Sequence, residues 1–345
     1  MMDGFYERAC ELHKKYPVVD AHLDLAAEVY YRRLAGEKEV IRRHYLEHFK
    51  EGGIRLIVSS VFVETSQLPA RGLEISLDQI GALYEDVESV SDEVCIVRSA
   101  TELQKCLQEG KIAILLYMEG LDVLNRGTEM LRSFYELGVR GASLTWSRRN
   151  QLGEGCCRAG ELKEVPGGLS EYGIEILKEL EERHMFVDVS HLNDDGFSNL
   201  AELTGKPFVA THSNARSVHV NYRNLTGEQL KLLGKSGGVV GINAYKEIVG
   251  VDNPAEHAIE KMCDHIQFIM QTAGEDCVGI GLDLCDSYYE AIYGKQADAE
   301  RGDCLAHHGE LPLLTAELLR RGVSEEAIRK FLGGNFLRVF LEILR

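Results

Sequence analysis

Six side chains with imidazole or carboxylate chemistry stand at the ends of short apolar runs. They are His22 and Asp24 in Asp20-Ala21-His22-Leu23-Asp24, Glu119 in Leu116-Tyr117-Met118-Glu119-Gly120, His191 in Asp188-Val189-Ser190-His191, His212 in Val209-Ala210-Thr211-His212-Ser213, and Asp283 after Gly279-Ile280-Gly281-Leu282. Residues two apart in a strand point to one side, so His22 and Asp24 can reach one metal together. A carboxylate straight after a buried run, such as Glu119, is costly to desolvate unless it is paired. Imidazole and carboxylate donors suit zinc, with manganese, cobalt and iron as alternatives. The first five donors are too many for one open tetrahedral site. They suit two metals that share a bridging carboxylate and a bridging water or hydroxide. Two divalent ions set against two carboxylates and one hydroxide keep a residual positive charge, which makes a good electrophile for an amide carbonyl. Asp283 is then left free to hold a proton.

These residues need a scaffold that brings several strand ends to one place. Eight strand-like runs alternate with longer amphipathic stretches: Val18–Leu25, Ile54–Val63, Ile112–Met118, Gly138–Trp146, Met185–Ser190, Pro207–His212, Gly238–Ala244 and Cys277–Leu282. Most are nearly continuous apolar segments, as parallel strands buried on both faces should be. Between them, Ile174, Leu177 and Leu180 share one helical face. Ser76-x-x-Gln79 and Thr226-x-x-Gln229 have capping-box spacing and predict helix starts. The tail from Ser324 to Arg345 also reads as helical. The expected fold is α/β, a single (β/α)8 TIM-type barrel over residues 1–345 with a C-terminal helix. In that fold the active site lies at the C-terminal ends of the strands, where these six residues fall.

Composition narrows the functional classes. The formal net charge is −17, and there is no basic stripe beyond pairs such as Arg42-Arg43 and Arg148-Arg149. Nucleic acid and anionic membrane surfaces are therefore not expected partners. No apolar run is long enough to span a bilayer, and the first residues, Met1 to Arg8, lack the apolar core of a secretory signal. The expected location is the cytoplasm. The nine cysteines include no C-x-x-C pair, and Cys156 and Cys157 are adjacent. This usage fits a reducing compartment, with cysteines acting as small buried apolar residues. The other histidines fail the strand-end test. His44 and His48, four apart on an expected helix, read as a solvated face. His13, His184, His257 and His265 lie in helix-like stretches. His307 and His308 fall in the long segment Cys285–His308 after the last run, which could form a lid.

Taken together, the segments Val19 to Asp24, Glu119-Gly120, Ser190-His191, Thr211-His212-Ser213-Asn214-Ala215-Arg216-Ser217-Val218, Tyr222-Arg223-Asn224, Gly281-Leu282-Asp283 and Gly333 to Phe340 resemble the membrane (renal-type) dipeptidase family of zinc peptidases, especially its bacterial members. The resemblance covers most of the chain in order. It implies a barrel with two zinc ions: His22, Asp24 and Glu119 on one, and Glu119, His191 and His212 on the other, bridged by Glu119 and a water or hydroxide. It implies that Arg223 holds the C-terminal carboxylate of a dipeptide, which its guanidinium fork suits. It implies that Asp283 moves protons between the attacking water and the leaving amine. It further implies tolerance of a D-residue at the second position, and a homodimer. Trp146 and Tyr245 are the remaining candidate substrate-binding residues. Trp146 marks a departure: renal-type members carry a His after Leu-Thr, whereas this chain reads Leu144-Thr145-Trp146-Ser147. An indole N–H is a donor but carries no charge.

Two other readings compete. One is a different binuclear amidohydrolase, acting on an acylated amino acid, lactam or lactone. Such enzymes typically show H-x-H on the first strand and often a carboxylated Lys on the fourth; this chain has H-x-D and no such Lys. The other is a catalytically weak metal-binding barrel, against which the presence of Asp283 and Arg223 argues.

Overall fold

The computed structural model describes residues 2–156, 166–294 and 301–344. Nine strands occur among them: β1 (Val18–Leu23), β2 (Ile54–Val61), β3 (Val94–Ile96), β4 (Ile112–Glu119), β5 (Val139–Ser143), β6 (Phe186–Asp188), β7 (Val209–Ala210), β8 (Val239–Ile242) and β9 (Val278–Ile280). Every pairing between them is parallel. β1 joins β9 on one side and β2 on the other, and β2 joins β4, so eight strands close into a barrel with helices around it. All eight apolar runs became barrel strands. β3 was not foreseen; it stands outside the ring and pairs with Ile112–Ile114 of β4. Three residues carry too little periodicity to register as a strand.

The assigned strands are shorter than their apolar runs, most clearly β7, which keeps only Val209–Ala210. Strand stagger in a closed barrel leaves few residues paired on both sides. The runs stay buried beyond the ladder: Thr211 and His212 are fully enclosed. Alternation along the strands separates two apolar layers. Val19, Leu56, Val58, Ala113, Leu115 and Tyr117 point into the barrel, while Val18, Ile57, Ile114 and Leu116 face the helices.

The tail is helical as expected. Ser324 caps Glu325–Arg329, which runs through a wide turn at Lys330–Gly334 into the helix Asn335–Ile343. Phe336 and Phe340 of this helix join the interior cluster, with Phe340 5.0 Å from Phe186 at the start of β6. The tail therefore fills the end of the barrel opposite the strand C-termini.

Thr226 and Gln229 form the expected capping box. The other proposed cap is corrected. The helix there spans Gly72–Glu88, and Ser76 lies inside it, donating to the Gly72 carbonyl. Gln79 instead reaches across to the backbone of Phe62. The expectation for the cysteines also needs correction: Cys95 and Cys106 form a disulfide between β3 and the helix Ala100–Gln108. Cys156 is buried, and Cys157 lies outside the described residues. Among the described residues no helix is long and apolar enough to cross a membrane.

Phe340 is fully buried. Phe340→Ala should lower unfolding stability by ~3–5 kcal/mol, read as an earlier denaturant midpoint. An unchanged midpoint would show that the tail does not close the barrel.

Candidate active site

All six strand-end residues converge at the C-terminal mouth of the barrel. His22 lies in β1, and Asp24 follows it at the start of the helix Leu25–Leu34. Glu119 ends β4, and His191, His212 and Asp283 stand just past β6, β7 and β9. Glu119 Oε1 lies 2.8 Å from His191 Nε2, 3.3 Å from His212 Nε2 and 3.6 Å from His22 Nε2. His22 Nε2 is also 3.7 Å from Asp283 Oδ1. Three groups of potential ligands result there, each with donor atoms within 4.8 Å of one another: Glu119, His191 and His212; His22, Asp24 and Asp283; and His22, Asp188 and His212. Asp283, which the sequence left free as a proton carrier, thus stands beside the first pair.

The imidazoles are held so that each Nε2 faces inward. Thr211 Oγ1 donates to Asp188 Oδ2 at 2.6 Å, which leaves its lone pairs for His212 Nδ1 at 2.8 Å and His22 Nδ1 at 3.3 Å. Both rings are then protonated on Nδ1 and carry a lone pair on Nε2, an assignment made from the hydrogen bonds. Ser147 Oγ contacts His191 Nδ1 at 2.8 Å. His191 Nε2 and His212 Nε2 lie 2.8 Å apart. His22 Nε2 is buried and has no hydrogen-bond partner among the described residues. Outer partners that fix ring tautomer and direction are typical of metal-binding histidines.

The carboxylates are held as firmly. Ser60 donates to Asp24, and Asn243 Nδ2 donates to Asp283 Oδ2 at 2.8 Å. Asp283 has φ +55°, an uncommon left-handed value outside glycine, which turns its carboxylate back over the barrel mouth. Gly120 has φ +82°, and a Cβ there would lie 3.0 Å from the Trp146 amide. A side chain on it would push the loops after β4 and β5 apart. Asp188 accepts five hydrogen bonds, from the Ser190 amide and hydroxyl, the Thr211 amide and hydroxyl, and Tyr117. It is spent on structure.

Burial raises Glu119 well above the usual carboxylate range, with Asp24 and Asp283 adding repulsion. Burial and then Asp283 push Asp24 up to about 8, against the Ser60 hydrogen bond. Burial lifts Asp283 to about 6, although Arg223 and Asn243 favour its charged form. Burial and Arg223 hold His22 down to about 3, and burial likewise keeps His191 and His212 neutral. Converging lone pairs, an orphaned ring nitrogen and mutually repelling carboxylates fit divalent cations, which alone would suit all of them at once.

The cluster opens into a cleft of about 590 Å³. Arg223 lines it from a buried position, donating to the Ser190 carbonyl and, at 3.0 Å, to the His212 carbonyl. Its Nη2 is 3.2 Å from His191 Nε2, and no ion pair to it occurs among the described residues. Trp146 stacks on His191 at 5.5 Å and packs 5.3 Å from Phe62, with the Arg148 guanidinium 5.1 Å from its ring. Arg148 is itself anchored on Asp122. Tyr245 also lines the cleft.

The segment after β9 contributes a helix, Asp286–Tyr293, that brings Tyr288 and Tyr289 to the cleft. Asp303 accepts from the Cys285 and Asp286 amides, and Asp286 accepts from the Gly302 and Asp303 amides. Residues 295–300 of the candidate lid lie outside the described residues. His308 belongs to the scaffold, its Nε2 2.8 Å from Asp20 Oδ2. His13 is likewise buried, between the Gly52 carbonyl and Thr315. His44 pairs with Glu37. Sequence reasoning missed Ser60, Ser147, Asn243 and the tyrosine helix. Asn243 alone had a signal, since it is a polar residue next to the end of the run Gly238–Ala244.

A parallel barrel with imidazoles and carboxylates gathered at the strand C-termini defines a metal-dependent hydrolase. The profile of the membrane dipeptidase family (Peptidase family M19) matches residues 6–344, and the chain belongs to that family. It is a metallo-dipeptidase, a hydrolase of peptide bonds. Dipeptidase verJ of Clonostachys rogersoniana is 28% identical over 358 residues, covering 98% of this chain and 87% of that protein. Dipeptidase 3 of Rattus norvegicus is 28% identical over 347 residues, covering 98% of this chain and 67% of that protein. A metallopeptidase from Rhodobacter sphaeroides, solved with a phosphinate mimic of the dipeptide L-Ala-D-Ala, superposes with a TM-score of 0.82 at 27% identity, covering 96% of this chain and 99% of that one.

The raised carboxylates make stability depend on pH in the metal-depleted protein. The folded state holds the Asp24 proton up to about 8, against an ordinary value of 3.8, so stability falls as pH rises through that interval. The depressed histidines act the other way, but only below their ordinary value of 6.5. Between about pH 6.5 and 8 the carboxylates therefore dominate. Metal-depleted protein should melt at lower temperature at pH 8 than at 6.5, and Asp24→Asn should flatten that slope. A melting temperature that rises over the interval would contradict the assignment.

Proposed function

We propose that the enzyme is a zinc dipeptidase with two ions per chain, which cleaves short dipeptides including those with a D-residue at the C-terminal position. His22 and Asp24 would hold one ion, His191 and His212 the other, and Glu119 would bridge them. When bound, such ions supply a nucleophilic water or hydroxide at neutral pH and polarise the scissile carbonyl.

The observation that carries the substrate assignment is Arg223: a buried guanidinium, without an ion pair among the described residues, beside the metal-type cluster. Its backbone acceptors fix the fork in place, and a free carboxylate is the ligand that a fixed fork suits. A substrate anchored there is short, because its carboxylate end and its scissile bond must both fit one cleft. Asp283, aimed by Asn243 and close to His22 Nε2, takes a proton from the attacking water and returns one to the leaving nitrogen. Trp146 and Tyr245 shape the cleft around the substrate. Tolerance of a D-residue is supported by the L-Ala-D-Ala mimic in the Rhodobacter sphaeroides relative. The family resemblance supports a homodimer, and the net charge of −17 supports solubility.

Asp283→Asn should abolish turnover while metal content stays at the wild-type level; near-normal turnover would remove Asp283 from the chemistry. Arg223→Lys should lower kcat/KM for free dipeptides ~10- to 100-fold, the worth of a hydrogen-bonded charge. It should have little effect on dipeptides capped as C-terminal amides, which the wild type should already cleave poorly. Equal losses on both substrates would show that Arg223 does not hold the carboxylate.

A further inference from the structure

We propose that Glu64 determines specificity at the first residue of the substrate, selecting dipeptides whose first side chain is cationic. The inference rests on the carboxylate anchor assigned to Arg223 above and adds a subsite at the other end of the substrate.

Barrel order fixes where that end lies. Round the ring the strands run β1, β2, β4, β5, β6, β7, β8, β9, so β2 and β7 stand four strands apart in either direction. Arg223 lies in the segment after β7, whereas Phe62 and Glu64 stand just past β2. All three line the same cleft. A dipeptide with its carboxylate on Arg223 and its scissile bond at the metal-type cluster must therefore extend its first residue toward β2.

The chain beyond β2 is built to hold Glu64 in place. Gln79 clamps the Phe62 backbone, accepting from its amide at 3.0 Å and donating to its carbonyl at 2.6 Å. Arg148 staples both neighbours of Glu64, donating to the Val63 carbonyl at 2.9 Å and to Thr65 Oγ1 at 3.2 Å. The Tyr288 hydroxyl donates to Glu64 Oε1 at 3.2 Å. The Arg148 charge is already met by Asp122, 3.0 Å away, and Glu64 forms no ion pair among the described residues. A solvated surface acid would account for the missing ion pair, but not for a fixed backbone on both sides and a phenol on one oxygen.

The surroundings suit a long cationic side chain. Phe62 and Tyr288 are buried and lie 6.4 Å apart, and both line the cleft beside Glu64. Aromatic rings cover the methylene stem of a lysine or arginine and attract its charged head, which the half-buried carboxylate then receives. Among the described residues that line the cleft, Arg223 is the one arginine or lysine, so the cleft is bipolar along the substrate: a fixed cation for the carboxylate end and a fixed anion for the first side chain.

The test is kcat/KM of the zinc-loaded enzyme on Lys-Ala, norleucyl-Ala and Glu-Ala. Norleucine keeps the lysine stem without its ammonium. Wild type should prefer Lys-Ala to norleucyl-Ala by ~10-fold or more, the worth of one charge-assisted hydrogen bond, and should cleave Glu-Ala worst. Glu64→Gln should remove that preference, mainly through KM, and Glu64→Lys should reverse the order of Lys-Ala and Glu-Ala. Glu247→Gln, which removes another cleft carboxylate on the far side after β8, should keep the wild-type preference. Equal losses on Lys-Ala and norleucyl-Ala in Glu64→Gln would place Glu64 on the α-ammonium common to both and overturn the side-chain assignment. A wild type with no charge preference, or a preference that survives Glu64→Gln, would overturn the inference and leave the dipeptidase reading intact. An enzyme that cleaves none of the three would overturn both.

Discussion

The physical constraint on which the rest depends is charge burial at the mouth of the barrel. Asp24 and Glu119 are buried, Asp283 keeps only 16% of its side chain exposed, and all three crowd against three neutral imidazoles. Each group alone would be costly to desolvate, and the carboxylates repel one another. Divalent cations resolve this conflict, because they accept the imidazole lone pairs and neutralise the acids together. The arrangement is poor for stability without metal and suited to hydrolysis with it.

The fold divides the labour along the barrel axis. At one end, apolar side chains and the tail helix close the interior; at the other, the strand ends present donors. Two buried aspartates link these regions. Asp188 ties β6 to β7 through Thr211, and Thr211 sets the tautomers of two histidines. Asp20 accepts from the His22 and Leu282 amides, drawing β1 and the loop after β9 together. A change in either would act on the site through geometry, without touching substrate.

Much of this was legible in the sequence. The eight apolar runs marked the eight barrel strands, and the position of His22, Asp24, Glu119, His191, His212 and Asp283 at their ends placed the cluster. These signals survive because burial on both faces and strand-end position leave a local trace. The residues that escaped have no local trace. Ser60 and Ser147 are ordinary serines until the barrel closes and brings them to Asp24 and His191. Gln79 matched a capping box by spacing, but tertiary contact with Phe62 claimed its amide. The Cys95–Cys106 pair depended on β3, a strand too short to read.

The most direct measurement is hydrolysis of L–L, L–D and D–D dipeptides by metal-depleted protein, with and without added zinc. The account predicts no cleavage without metal, recovery on adding zinc, and full recovery only when two ions per chain are bound at the barrel mouth. Cleavage that persists after metal removal, or zinc-loaded protein that leaves every dipeptide intact, would contradict it.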